Sequence, residues 1–88
     1  MAEGIEAKAR KEADRVDKIM AGLEVVDDRA KGLVSVLESY HMDCRSFLEK
    51  GHFLEALEAA FICWAYVDAG LHLGAFRVPE GMRRVFTV

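Results

Sequence analysis

Apolar residues recur at steps of three and four along most of this chain, and the stripe they draw widens toward the C-terminal half. From about Glu3 to about Val25 it is narrow: Ala9, Ala13, Val16, Met20 and Leu23 share one helical face. The opposite face sets acid and base four residues apart, as Glu6/Arg10, Lys8/Glu12 and Asp14/Lys18, the pattern of a solvated helix surface. Asp27 or Asp28 follows, a short carboxylate able to accept the free N–H groups of a first helical turn. A second seam then runs Ala30, Leu33, Leu37, Tyr40, Cys44, Phe47 and ends at Gly51, a residue that takes a left-handed conformation without steric cost. The third helix starts at once, at His52 or Phe53, with Glu55 in its first turn, and ends at Gly74.

The third helix differs from the other two. Phe53, Leu54, Leu57, Phe61, Ile62, Trp64, Tyr66, Val67, Leu71 and Leu73 surround nearly the whole cylinder. A helix that is apolar all round must be covered all round, and two partner helices cannot do that. The tail after Gly74 is expected to fold back over it, with Phe76, Val78, Val85 and Phe86 to contribute and a turn at Pro79-Glu80-Gly81. A second copy of the chain is expected to cover the rest. The predicted interface comprises Phe61, Ile62, Trp64, Tyr66, Phe76 and Phe86. Short connections make neighbouring helices antiparallel. The predicted architecture is all-α: an up-down-up three-helix bundle with helices over about 3–25, 28–50 and 52–73 and a short irregular tail over 75–88, one domain in all.

Composition narrows the function. The 88 residues suit one small domain, marginal alone unless something adds burial. With 52% hydrophobic residues the chain is no disordered protein. A net charge of −3 lacks the basic excess of a domain built to grip nucleic acid. The first sixteen residues are charged, so they do not read as a signal peptide, and no apolar run is long enough to span a bilayer. Cys44 and Cys63 both sit on helix seams, which suggests reduced, inert core thiols and a cytoplasmic protein.

Candidate chemistry is sparse. Asp43 lies between Tyr40 and Phe47 on the second seam, and Asp68 between Trp64 and Leu71 on the third. Helical rise puts the two ~12 Å apart along the bundle, too far to share a proton or a metal. Each is expected to have its own structural polar partner: Lys8 or Arg10 for Asp43, Arg15 or Lys18 for Asp68, or a hydrogen bond to Tyr40, Tyr66 or Ser35. His72, four residues after Asp68, can meet it on one helix face. None of the three histidines has the i, i+4 partner of a helical zinc site, and there is no Cys–X–X–Cys, so no metal or cofactor is expected. Arg45 and His52 fit the loose arginine–histidine spacing of ribonucleases built on the HEPN helical domain, where arginine would hold phosphate and histidine move a proton. That RNA-processing or nucleotide-binding reading is the alternative. Against it, Gly51 breaks the helix between the two residues, and His52 can serve as a helix cap. Arg77, Arg83 and Arg84 form a small basic patch in the tail.

The segments Tyr40-His-Met-Asp43-Cys-Arg-Ser-Phe47-Leu-Glu-Lys-Gly51, Ala56-Leu-Glu-Ala and Trp64-Ala-Tyr-Val-Asp68-Ala-Gly-Leu-His-Leu-Gly74 resemble an archaeal family known as domain of unknown function 357. The family pattern is a Tyr-x-x-Asp helix, a Phe-Leu-x-x-Gly turn, and a third helix with Gly-Trp before its Asp. Here Tyr66-Val67 stands near that Gly-Trp, and Trp64 is displaced. The likeness covers the second and third helices. It implies a three-helix bundle of archaeal, cytosolic origin without assigned activity, some relatives being joined to a nucleotidyltransferase-like domain. Taken together, the residues predict a non-catalytic helical interaction module that pairs with itself through the third helix and tail.

Overall fold

The protein, seen here as a computed structural model, is described over residues 4–83. Three long helices carry the fold: α1 (Ile5–Gly22), α2 (Lys31–Glu49) and α3 (Phe53–His72). α2 and α3 form an antiparallel hairpin, with Phe47 beside His52 at the turn and Cys63 beside Leu37 further along. α1 packs against both and runs antiparallel to α2, so that Asp17 meets His41 while Asp14 meets Arg45. The molecule is an all-α up-down-up bundle.

The helix ends follow local chemistry. Gly51 and Gly74 adopt φ of +78° and +73°. Each lets the next N–H reach back five residues, from His52 to the Phe47 carbonyl and from Ala75 to the Gly70 carbonyl, both at 2.8 Å. This is the hydrogen bond that closes a helix through a left-handed residue. At the start of α2, Asp27 accepts from the Arg29 N–H at 2.9 Å and caps a 3-10 turn, Asp28–Ala30, that leads into the helix. His52 occupies the cap position of α3, but its side chain makes no capping hydrogen bond there and stacks on Phe47 instead.

The core lies along the junction of the three helices. α1 contributes Ala9, Ala13, Val16 and Ile19; α2 contributes Leu37, Cys44 and Leu48; α3 contributes Ala56, Ala60, Cys63 and Val67. The alanines allow close helix approach, since interaxial distance follows side-chain size.

The described part of the tail departs from the irregular segment expected. α1 stops at Gly22 because the chain turns into a short strand, β1 (Glu24–Val25), which pairs antiparallel with β2 (Phe76–Arg77). Glu24 faces Arg77 and Val25 faces Phe76, and the Val26 N–H extends the ladder to the Ala75 carbonyl at 2.8 Å. A last short helix, α4 (Glu80–Arg83), follows. Strands of two residues are too short for any alternation to show in sequence. Val85 and Phe86, like Glu3 and Arg84, lie outside the described residues.

Candidate functional site

Among the described residues, Glu12 is the buried carboxylate. Expected on the polar face of α1, it lies among the buried residues Ala9, Ala13 and Val16 and is 8% exposed. Its Oε2 accepts the Trp64 indole N–H from α3 at 2.9 Å, and its Oε1 accepts from Arg15 at 2.8 Å. Arg15 in turn lies over the Trp64 ring, 4.8 Å from its centroid, in cation–π geometry. The unit therefore ties α1 to α3 with a satisfied acceptor at each oxygen. The expected Lys8/Glu12 surface pair is corrected: Glu12 turns inward because the i, i+3 spacing lets Arg15 follow it to the α3 side. Trp64, predicted to face a partner chain, instead faces α1.

The two aspartates singled out from the seams do not fill the role expected of them. Asp43 is exposed and Asp68 half-buried, and among the described residues neither makes an ion pair or hydrogen bond. Arg15, a predicted partner of Asp68, is committed to Glu12. Lys8 and Arg10 lie out of register with Asp43, because the turn between α1 and α2 carries a strand and a 3-10 turn and so sets α2 further along α1. Arg10 bonds Glu6 at 3.0 Å and approaches the Phe53 ring. Tyr40 stacks on Tyr66 across α2 and α3, with centroids 6.1 Å apart, and His72 is exposed at the end of α3.

A second polar cluster joins α1 to α2. His41 Nε2 lies 2.6 Å from Asp17 Oδ1, and Arg45 reaches Asp17 at 3.4 Å and Asp14 at 3.8 Å. Asp14 thus pairs across helices, where an Asp14/Lys18 pair was expected. Arg45 points to α1 while His52 lies against Phe47, so the two are engaged with different neighbours. The spacing of Asp17 and His41 in sequence carries no sign of this contact, which exists only in the register of α1 on α2.

Both cysteines are buried and unbridged. Burial pushes the Cys63 thiol from an ordinary 9.0 up to about 12, with added repulsion from Cys44. Burial also raises the Cys44 thiol, against the pull of Arg45. Thiolate is the reactive form, so these are packing residues. At the surface, Arg29 holds Asp27 below the usual carboxylate range through side-chain and backbone hydrogen bonds. Among the described residues no three histidine, cysteine or carboxylate groups converge to hold a metal ion, and no helix is long and apolar enough to cross a membrane.

The remaining feature is apolar surface. Phe76, predicted to meet a partner, is 3% exposed and seals the end of the bundle over Gly70. The outer side of α3 stays open: Leu54 is 56% exposed, Phe61 48%, Ile62 36% and Leu73 78%. Tyr66, beside them, is half-buried against Tyr40. Among the described residues of the tail, Phe76 covers α3 at Gly70, while Leu54 and Phe61 stay exposed.

Comparison with known proteins finds a solved structure of similar fold. It is the crystal structure of a protein from Archaeoglobus fulgidus assigned to family model DUF357, with a TM-score of 0.73 and 28% identity, covering 85% of this chain and 93% of that one. No protein-family model matches the sequence, and no curated protein does. Over most of both lengths, then, this chain is similar to an archaeal protein from a family of unknown function.

Proposed function

We propose that the chain belongs with the DUF357 proteins and acts as a non-catalytic helical interaction module, self-associating through the outer face of α3. The observation that supports this is the run of Leu54, Phe61 and Ala65, at steps of seven and four, all exposed. Glu58 falls between Leu54 and Phe61 on this line, which otherwise presents apolar surface. A domain of this size gains little from its own core, and exposed apolar surface in water is the feature a partner removes. Its middle position on α3 suits a second α3 crossing it. Such a module would serve as an accessory to a catalytic partner, a nucleotidyltransferase-like domain being the first to try. No geometry favours the Arg45–His52 reading, since Arg45 is paired with Asp14 and Asp17.

Light scattering over a dilution series tests the reading. The wild-type chain is expected to run as a dimer at micromolar concentration. Phe61→Glu places a charge in the stripe and is expected to give a folded monomer. A wild-type monomer at all concentrations, or a Phe61→Glu dimer of unchanged affinity, would refute self-association through this face.

A further inference from the structure

Charge is divided unevenly among the three helices. α1 carries five Lys and Arg against four acids. α3 carries Glu55, Glu58 and Asp68 and no Lys or Arg. The hairpin of α2 and α3 therefore presents an acidic surface on the side that α1 does not cover.

That side holds a groove. α1 meets α2 through His41 and Arg45, and α3 through Phe53 and Trp64. Turning away from those contacts, the next line of α2 is Val36, Tyr40, Asp43 and Phe47, at steps of four, three and four. The facing line of α3 is Ile62 and Tyr66, with Glu58 and Glu55 one and two turns before Ile62. The Tyr40–Tyr66 stack forms the floor between them. Val36 is 40% exposed and Ile62 36%, while Tyr40, Phe47 and Tyr66 are half-buried. Asp43, Glu55 and Glu58 are exposed and lack ion pairs among the described residues. An aromatic and aliphatic floor with carboxylates on both lips fits one chemistry well.

We infer that the α2/α3 groove is a docking site for a basic amphipathic helix of another protein, which lies antiparallel to one groove helix and completes a four-helix bundle. Its apolar residues at i, i+4 and i+7 would cover Val36, Tyr40, Ile62 and Tyr66. Its flanking Lys and Arg would meet Asp43, Glu55 and Glu58. A second copy of this chain is a poorer occupant of this groove, because its α3, with no Lys or Arg, offers no cation to Asp43 and Glu55. Asp43 gains a role from this assignment. Its carboxylate, set between Tyr40 and Phe47, reads the charge of what docks beside it.

The floor of this site lies to one side of Leu54, Phe61 and Ala65, and Glu58 borders both, so variants that spare Glu58 let the two fail independently. The probe is a synthetic amphipathic helix of Leu, Ala and Lys, with Leu at helical spacing, titrated into the full chain and followed by calorimetry and by amide chemical shifts. A matched peptide with Glu for Lys is the control. The basic peptide is expected to bind, with shifts centred on Val36, Tyr40, Ile62 and Tyr66. Binding should weaken at least about tenfold in the Asp43→Lys/Glu55→Lys variant and as salt is raised. Both positions are exposed, so the variant is expected to keep its fold, and the amide spectrum checks it. The Phe61→Glu monomer should bind the peptide as wild type does. The inference is overturned if the acidic peptide binds equally well, if shifts map to α1, or if charge reversal leaves affinity unchanged. A change in solution mass on charge reversal, without a change in peptide affinity, would assign the groove to a second copy and overturn it too.

Discussion

At the scale of single residues, the position of a carboxylate in an apolar stripe did not reveal its burial. Asp43 and Asp68 sit on apolar seams yet are exposed and half-buried, while Glu12, read as part of the polar face of α1, goes under. The deciding group is Trp64, whose indole N–H needs an acceptor when it packs against α1. Sequence gives Trp64 and Glu12 separately, and only the rotation of α1 on α3 joins them. Removing the acceptor is the informative change. Glu12→Ala is expected to cost about 1–3 kcal/mol in urea melts, the range for losing hydrogen bonds to a buried charged acceptor, and Glu12→Gln clearly less, because its amide oxygen still accepts. Equal losses would mean the contact with Trp64 carries no stability.

The thiols make a second prediction at this scale. Below pH 9 Cys63 is protonated whether the chain is folded or not. Between 9.0 and about 12 the unfolded chain ionises it while the folded one does not. The unfolded state then binds fewer protons, so stability falls as pH rises. The slope approaches about 1.4 kcal/mol per pH unit from this group. Cys63→Ala should flatten the alkaline limb in chemical melts at a series of pH values. In native protein at pH 8, both thiols should resist a thiol reagent that labels them rapidly in denaturant.

At the scale of elements, the three helices were legible because their signals are redundant. Apolar spacing, Asp27 before the second helix and Gly51 after it all mark the same boundaries. The β1–β2 ribbon was not legible, since two residues carry no periodicity and the pairing partners lie far apart along the chain. Yet a trace existed in Gly70. It is a glycine inside a helix, costly there relative to alanine, and a Cβ at that position would run into the Phe76 ring. Gly70→Ala is therefore expected to destabilise by about 1–3 kcal/mol through overpacking, although it raises helix propensity. A stabilised variant in thermal melts would show that Phe76 can move aside without loss.

At the scale of the whole molecule, the all-round apolar third helix predicted from sequence is covered unevenly. α1 and α2 take one side, Phe76 seals the end, and the middle of the outer side stays exposed. The surplus was readable from composition; its division into a stripe at Phe61 and a groove at Tyr66 was not, because that depends on where α2 and α1 lie. Phe61→Glu addresses the first and charge reversal at Asp43 and Glu55 the second, so self-pairing and partner binding can be separated in one protein.

The ribbon has one more consequence, in time. α2 and α3 are joined by a turn and touch at short sequence separation, so their packing forms early and at small entropic cost. The pairing of β1 with β2 must close a loop that contains both helices. It is thus expected to form after the folding barrier and to be among the first pairings to break on unfolding. Damage at Gly70 or Phe76 should hasten unfolding while the refolding rate hardly changes. The lifetime of the native bundle would then rest on its smallest element, a ladder of two residues on each strand.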